Sequence, residues 1–418
     1  MPDSGPRKVS NSSALLRAQI AKAKQEARRA STNTAAAAPL WDTETDDPFN
    51  QVSKDGGNSG LLRKRIEAAR VDGRLNIAGM GLPEIPVEVF QMYEFDPDSN
   101  VVWSESVDLV RFNAADNELK ALPDSAFPDK VPNGDEEEGT PHQFGGVEIL
   151  DLHGNLLESL PRGIRRLEHL TSLNLTRNKL KDIHIITEIP NLKELRISEN
   201  LIESLPNSIS HLSKLEVLEV HHNKIAELPD KIRKLTCLRL LNIAHNKIRD
   251  LRLSMLSELP LAHIHASKNE LSGVLLPKDW SMPRLQTLDV SCNDLTALTP
   301  SPEDQIEVPN LQILNISFNR ISSFPSIATW TNLTNILAED NGLKELPHGF
   351  ATLTSLRSVD LTGNDIKVLD PLIAHMDNLE VLNVAANPLR DRKFLTMSAD
   401  DIKKDLRARL EAPGFVAY

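Results

Sequence analysis

The sequence is poor in the residues that hold small secreted proteins together. Only two cysteines, Cys237 and Cys292, occur among 418 residues, and aromatic residues make up 4%. Two cysteines exclude a disulfide scaffold, and no hydrophobic stretch resembles a signal peptide or could span a bilayer. We therefore expect both thiols to be reduced and the protein to be cytoplasmic.

The chain also lacks an excess of positive charge. It has 47 Lys and Arg against 59 Asp and Glu, which gives a formal net charge of -12. Proteins that bind nucleic acid or anionic membranes present basic surfaces. We expect partners that are neither nucleic acid nor membrane.

What the chain has in abundance is one repeated pattern. The stretch from Leu215 to Ile248 contains L-x-x-L-x-L-x-x-N-x-L twice, and a degenerate copy with Met80 in place of the asparagine opens the series. The copies follow one another about every 23 residues over most of the chain, which is the leucine-rich repeat signature. Their asparagines are Asn117, Asn155, Asn178, Asn200, Asn223, Asn246, Asn269, Asn293, Asn319, Asn341, Asn364 and Asn387.

This period predicts the fold class. One unit cannot bury its own apolar face, so consecutive units must stack. The x-L-x-L-x segment predicts a short strand, and the asparagine amide should pair with backbone groups of neighbouring turns that would otherwise be buried without partners. We predict an α/β fold of about 13 repeats. It is a curved leucine-rich repeat solenoid with a parallel sheet on the concave face, short 3-10 or helical arcs on the convex face, and helical end caps.

Composition divides the chain into three regions. Residues 1–60 contain few large apolar residues and predict a disordered tail. Residues 61–390 form the repeat domain, opened by a capping helix at 61–72, and residues 391–418 form a C-terminal capping helix and tail, because a solenoid must cover its open ends. Within the tail, residues 14–30 are basic and helix-forming. A partner-bound helix, a mitochondrial transit peptide and a solvated tail are the three interpretations of that segment.

Three insertions interrupt the period, at residues 91–108, 124–146 and 299–309. The second is acidic and rich in Pro and Gly, which predicts an exposed loop. The third contains Thr299-Pro300 and Ser301-Pro302. It is either a site for a proline-directed kinase or an ordinary loop.

No arrangement of catalytic residues stands out in the sequence. A nucleophilic site needs a base, an orienting group and oxyanion donors, which the scattered histidines and cysteines do not supply. We expect no enzymatic activity and no cofactor. A zinc site is the more specific interpretation of the histidines, because His263 and His265 share a strand face and His221 or His245 could join them as ligands. Solvated or partner-facing histidines are the other interpretation.

The concave face is the candidate site. In each repeat it should carry the residues six, four, two and one before the asparagine, and histidines concentrate there in the central copies. The predicted patch is neutral to basic on an acidic protein, so an acidic partner segment could be steered to it. Farther along, Phe318 beside Ile313 could anchor a partner. The predicted partner-binding residues are Arg196, Glu219, His221, His222, His245, His263, His265 and Lys268.

Several repeats continue as L-P-x-x-I-x-x-L, as in Leu205-Pro206-Asn-Ser-Ile209-Ser-His-Leu212. With this motif the chain resembles the Ras-group leucine-rich repeat proteins of the Shoc and Scribble type. Its entry at 61–86 and its exit, ANPLR followed by DIKKDLRARL, resemble the two ends of the subfamily of leucine-rich-repeat-containing protein 40.

This resemblance implies an intracellular, non-enzymatic scaffold that binds an unidentified protein on its curved face, in signalling of the small-GTPase type. We expect a monomer. A regulatory subunit of a protein phosphatase is the alternative among binding proteins, and a metal- or thiol-dependent enzyme is the alternative from another class.

Overall fold

The computed structural model describes residues 58–93, 106–129 and 144–411. Residues 1–57 of the predicted disordered tail, including its basic segment at 14–30, and most of the first two insertions lie outside these ranges. The chain divides into two units, Met1–Gly57 and Asn58–Tyr418, of which the second contains the whole described structure.

The second unit is built on one parallel sheet of 13 strands that follow each other in chain order. Each strand pairs in register with the strands of the neighbouring repeats, so that Val217, Leu218 and Glu219 lie beside Leu240, Leu241 and Asn242. The strands are β1 (Arg74–Asn76), β2 (Arg111–Asn113), β3 (Ile149–Asp151), β4 (Ser172–Asn174), β5 (Glu194–Arg196), β6 (Val217–Glu219), β7 (Leu240–Asn242), β8 (His263–His265), β10 (Thr287–Asp289), β12 (Ile313–Asn315), β13 (Asn335–Leu337), β14 (Ser358–Asp360) and β15 (Val381–Asn383).

The core lies behind this sheet. The middle residue of each strand points inward and is buried, as Leu218 and Leu241 are, while the residues on either side point to the open face. One apolar cluster runs from the first helix to the last, so every repeat contributes to a continuous core.

The repeat asparagines form a ladder of buried side chains, as the sequence predicts. Asn223 donates to the carbonyl oxygens of Ile197 and Val220 at 3.0 Å each, and its Oδ1 accepts from the backbone N–H of Ile202 at 3.1 Å. The same bonds recur from Asn117 to Asn387. Each asparagine therefore joins its own repeat to the one before it and satisfies backbone groups that the strands leave unpaired.

The convex side carries short turns of helix. In the L-P-x-x-I repeats the proline precedes a 3-10 helix, and Pro206 has φ -73°, which suits the entry to such a turn. The 3-10 helices are Arg162–Arg166, His184–Glu188, Asn207–His211, Asp230–Lys234, Phe350–Thr352, Pro371–His375 and Arg392–Leu395, and two four-residue α-helices, α2 (Val87–Phe90) and α3 (Leu253–Leu256), complete the set.

Helices cover both described ends of the sheet. Helix α1 (Asn58–Asp72) starts three residues before the predicted capping helix and buries Leu62 and Ile66 against the first repeat. At the other end, the N-cap Ser398 of helix α4 (Ala399–Leu410) accepts from the backbone N–H of Asp401 at 3.2 Å, and α4 buries Ile402.

Two features of the eighth and ninth repeats were not predicted. Strands β9 (Ser272–Val274) and β11 (Asp294–Ala297) form a second, two-stranded parallel sheet. The insertion at 299–309 is packed rather than free, since Glu307 makes a β-bridge with Ser281 and Thr299 is only 5% exposed. Burial of Thr299 weakens its interpretation as a kinase site. Both cysteines are free thiols, as the sequence predicts.

Candidate interaction surface

The sheet face consists, in every repeat, of the four residues that lie six, four, two and one before the asparagine. The eight predicted partner-binding residues lie there on four neighbouring strands, β5 to β8, and we call them the central patch. His222 and Lys268 are exposed, and the other six side chains are half-buried. The structure thus places the predicted residues side by side.

The last of the four positions has an unusual backbone. In all repeats the residue before the asparagine position lies in the left-handed region, as at His222, His245 and Lys268, each with φ 53°. Glycine adopts this conformation freely, and Gly79, Gly154 and Gly363 do so here, whereas other residues have a cost of roughly 1 kcal/mol. We call these positions the left-handed column.

The side chain of the residue four before the asparagine usually accepts a hydrogen bond from the backbone. In nine strands it is Asn or Asp, and in eight of these its Oδ1 accepts from the N–H two residues later to form an Asx turn, for example from Ala244 to Asn242 at 3.2 Å. The other seven are Asn76, Asn113, Asp151, Asn174, Asp289, Asn315 and Asp360. The exceptions with another residue type are Arg196, Glu219, His265 and Leu337. Three of these four belong to the central patch.

Arg196 is held by carboxylates on its own face. Its guanidinium lies 3.2 Å from Glu194 and 3.5 Å from Glu219, and its side chain is only 14% exposed. Since both partners are acidic, Arg196 does not give the patch a free positive charge.

The histidines form a contiguous cluster on β6 to β8. The rings of His222 and His245 stack with centroids 3.7 Å apart, and the centroid of His221 is 5.6 Å from that of His222. His221 Nδ1 is 2.7 Å from Oγ of the buried Ser198. His263 Nδ1 lies 3.2 Å from Thr287 Oγ1 on β10.

Three of these histidines, His221, His245 and His263, have pKa values below the usual value of the imidazole group. Burial lowers the pKa of His221, and the neighbouring His222 lowers it further against the opposing effect of Glu219. Burial also lowers the pKa of His245, helped by His222 and Lys268, and burial followed by the charge of His265 lowers the pKa of His263. The lowered pKa values disfavour positive charge on His221, His245 and His263, which weakens the attraction that the predicted neutral to basic patch would have for an acidic partner.

The zinc alternative gains no support from the geometry. Within the described ranges, no three side chains among His, Cys, Asp and Glu converge closely enough to hold a metal ion.

Two parts of the sheet face were missed by the sequence analysis. Near the N-terminus, His153 on the face beside β3 contacts Asp151 at 2.8 Å and Asp116 at 3.2 Å. The hydrogen bond with Asp151 raises the pKa of His153 against the opposing effect of burial. Toward the C-terminus, strands β10 to β15 present a set of acidic side chains, which are Asp289, Glu339, Asp340 and Asp360. The signal was present in the sequence, because residues at equal template positions become neighbours in the sheet.

The fold and the face together define a leucine-rich repeat protein of the kind that offers a long open sheet surface. Models of the leucine-rich repeat family match residues 169–225 and 190–248, 310–330 and 352–368. The chain therefore contains leucine-rich repeats, and the predicted solenoid is confirmed.

Curated relatives share the repeats over part of their own length. Podocan-like protein 1 of Mus musculus is 29% identical over 260 residues, which cover 58% of this chain and 44% of that protein. Leucine-rich repeat serine/threonine-protein kinase 1 of Mus musculus is 29% identical over 54% of this chain and 10% of its own length. The adenylate cyclase of Schizosaccharomyces pombe is 29% identical over 82% of this chain and 23% of that enzyme. The alignments thus span less than half of each relative.

Solved structures show the same fold at low identity. An internalin of Listeria monocytogenes aligns with a TM-score of 0.55 at 22% identity, over 76% of this chain and 93% of that one. A leucine-rich repeat protein of Leptospira interrogans gives 0.52 at 22%, over 85% and 98% of the two chains. Separately, no helix in the described part of the chain is long and apolar enough to cross a membrane.

Proposed function

We propose that the protein is a non-enzymatic scaffold that binds a partner protein through the central patch. Leucine-rich repeat domains generally mediate contacts between proteins, and this chain has an open sheet face on which such a contact can form. The observation that carries the proposal is the loss of the Asx turn at Arg196, Glu219 and His265. In eight other strands the side chain at that position stabilises the local backbone through an Asx turn. Arg196, Glu219 and His265 do not form this turn, so their side chains can contact a partner instead.

The histidine cluster of the central patch indicates the kind of partner. Stacked imidazoles with an exposed edge offer apolar area and hydrogen-bonding nitrogens, and the lowered pKa of His245 disfavours a positive charge there. A polar, uncharged segment fits this surface better than a strongly acidic one. The partner is expected to leave when the cluster gains protons, because buried positive charges in one interface repel each other.

A signalling role in the cytoplasm, as a monomer, is the setting that we propose. The L-P-x-x-I-x-x-L motif supports it through its resemblance to the Ras-group scaffolds. Relatives that include a serine/threonine-protein kinase and an adenylate cyclase carry similar repeats beside other regions of their own chains. The alternative, a regulatory subunit of a protein phosphatase, rests on the same open face and would be separated from a GTPase scaffold by the identity of the captured partner.

The proposal is tested by restoring the default Asx turn. In the full chain, Glu219→Asn with His265→Asn supplies the residue that most other strands use, so the fold should be unaffected while two partner-facing groups are removed. We expect the capture of specific partners from cell extract, quantified by mass spectrometry, to fall at least tenfold. Asn113→Asp is the matched control, since it keeps the turn to Ala115 and lies outside the patch. Identical partner lists for the patch variant and the unaltered chain would contradict the proposal.

A further inference from the structure

We propose that the sheet face from β10 to β15 is a second docking surface, which takes a basic protein segment carrying a large apolar side chain. The inference goes beyond the proposed function, because it concerns other strands and a partner of different chemistry. It rests on exposed apolar side chains, on charge, and on a comparison with the opposite end of the same sheet.

The apolar part of this surface centres on Phe318. Its side chain is 45% exposed, and Ile313 at the start of the same repeat's strand is 38% exposed. Leu337 on the neighbouring strand β13 is half-buried at one of the four positions where neither Asn nor Asp is present to form the Asx turn. Phe318 also occupies the left-handed column with φ 56°. A bulky residue is unfavourable in this conformation, whereas glycine adopts it without strain. Neither folding nor solubility explains an exposed phenylalanine at such a position.

The charge around Phe318 has one sign. The four face positions of repeats β10, β12, β13, β14 and β15 include Asp289, Glu339, Asp340 and Asp360, and they include no Lys, Arg or His. Among the described residues, Glu339 and Asp340 make no ion pair. Phe318 and Asp340 are adjacent in the left-handed column, so an apolar anchor and a free carboxylate lie side by side.

The chain shows at its other end what such a carboxylate binds. Asp116 precedes Asn117, and it contacts His153 Nε2 at 3.2 Å and Arg177 at 3.6 Å. Its carboxylate leans over Gly154, where a Cβ would lie 2.2 Å from Oδ1. Arg177 and the imidazole of His153, both from the chain itself, therefore occupy this acidic position.

The C-terminal end repeats this arrangement without the cations. Asp340 precedes Asn341 and leans over Gly363, where a Cβ would lie 2.1 Å from its Oδ1. The positions that correspond to His153 and Arg177 hold Thr362 and Ala386. The backbone and the carboxylate are the same, and the positive charges are missing. An arginine or lysine from a partner can take the place that Arg177 fills at the other end.

The occupant is therefore a basic segment with an apolar anchor. One Lys or Arg would meet Asp340 and Glu339, while a large apolar side chain would pack on Phe318 and Ile313. An acidic segment would be repelled by four carboxylates, and a neutral apolar one would leave them desolvated without partners.

Two variants of the full chain test this surface without disturbing the fold. Ala386→Arg rebuilds the pair seen between Asp116 and Arg177, and thus blocks Asp340 with a cation of the chain itself. Position 386 already has φ 55°, close to the 59° of Arg177, so the backbone accepts the change. Phe318→Gly removes the apolar anchor and relieves the left-handed backbone. His222→Gly with His245→Gly is the matched control in the central patch.

The probe is a library of random 12-residue peptides displayed on phage and selected on the unaltered chain. We expect selected peptides to be enriched, relative to the input library, in Lys or Arg next to a large apolar residue. Synthetic copies measured by fluorescence anisotropy should bind Ala386→Arg and Phe318→Gly at least tenfold more weakly, and the histidine control within twofold. Circular dichroism and thermal unfolding check that each variant is folded.

Three results would overturn the second surface: no enrichment of basic and apolar residues, enrichment of acidic peptides, or equal binding to the unaltered chain and both variants. Loss of binding in the histidine control alone would also overturn it, and would place the peptides on the central patch in line with the proposed function. Failure of the Glu219→Asn, His265→Asn experiment, by contrast, leaves the peptide result unaffected.

Discussion

The two ends of the sheet face share the same backbone arrangement but differ in how their acidic side chains are paired. One aspartate has partners within the chain, and its counterpart at the other end does not have them among the described residues. At β2 to β4, Asp116 is neutralised by His153 and Arg177, whereas at β13 to β15 the equivalent Asp340 faces Thr362 and Ala386. Both ends place a glycine beside the carboxylate and an aspartate in the Asx turn of the middle strand. The repeat fixes where a side chain lies, while the neighbouring side chains decide whether it is paired within the chain or open to a partner.

The largest effect should come from the asparagine ladder, and it should be equal at both ends. Asn155 bonds the carbonyl oxygens of Ala114 and Leu152 and the N–H of Leu119, and Asn364 bonds the corresponding groups of its repeats. Either asparagine changed to alanine leaves several buried backbone groups unpaired, at a cost of about 3 kcal/mol in the free energy of unfolding. Urea unfolding followed by circular dichroism measures it.

An exposed asparagine serves as the control for this measurement. Asn378 makes one bond, to the carbonyl of Thr354, and its change to alanine should cost less than about 0.5 kcal/mol. If Asn155→Ala and Asn364→Ala differ by more than about 1 kcal/mol, the ladder is not the common scaffold that the comparison assumes.

A smaller effect should separate the two ends. Alanine at Gly154 meets a carboxylate that His153 and Arg177 hold in place, whereas alanine at Gly363 meets the Asp340 carboxylate, which has no ion pair among the described residues and can rotate away. Both changes also place alanine in the left-handed region. We expect Gly154→Ala to cost about 2 kcal/mol and Gly363→Ala about 1 kcal/mol.

The same unfolding experiment in an Asp116→Ala background tests whether the Asp116 carboxylate causes the larger cost of Gly154→Ala. Without the carboxylate, the cost of Gly154→Ala should drop to that of Gly363→Ala. Equal costs in the unaltered background would show that the cations do not hold Asp116, and the comparison between the ends would then lose its basis.

The smallest effect is the pH dependence of stability, which has opposite signs at His153 and at three histidines of the central patch. The pKa of His153 is raised above 6.5, so its contribution to stability is full below pH 6.5 and fades as the pH rises through the folded-state pKa. The pKa values of His221, His245 and His263 are lowered below 6.5, so the folded chain binds fewer protons there. These three therefore reduce stability as the pH falls from above 6.5 through their folded-state pKa values.

NMR titration of the histidine rings tests this order. His153 should titrate above pH 6.5 and the three patch histidines below it. The variant Asp151→Asn should bring His153 back toward 6.5, because it removes the charge that raises the pKa. A pKa of His221, His245 or His263 above that of His153 would contradict the assigned directions.

Much of the scaffold could be predicted from the sequence, for a physical reason. Each repeat must bury the same template positions, so Leu218 and Asn223 could be assigned to core and ladder from the period alone. The two-stranded sheet of β9 and β11 and the packing of Thr299 could not, because they depend on insertions that have no counterpart in the other repeats.

The candidate site was predictable in position but not in charge. The period placed Arg196 on the sheet face, yet its pairing with Glu194 and Glu219 depends on rotamers that a pattern does not specify. The vacancy beside Asp340 could have been found, because aligning the repeats shows Arg177 at one end and Ala386 at the other.

The strict chain order of the sheet has a mechanical consequence. Each strand bonds only to the strands of adjacent repeats, so a tension applied between the two ends passes through every interface in series, and the weakest interface opens first. A partner that contacts two neighbouring strands bridges one such interface and acts as a clamp across it. Occupied surfaces would then set where the molecule yields under load, and binding could be read out as a rise in the force needed to open that interface.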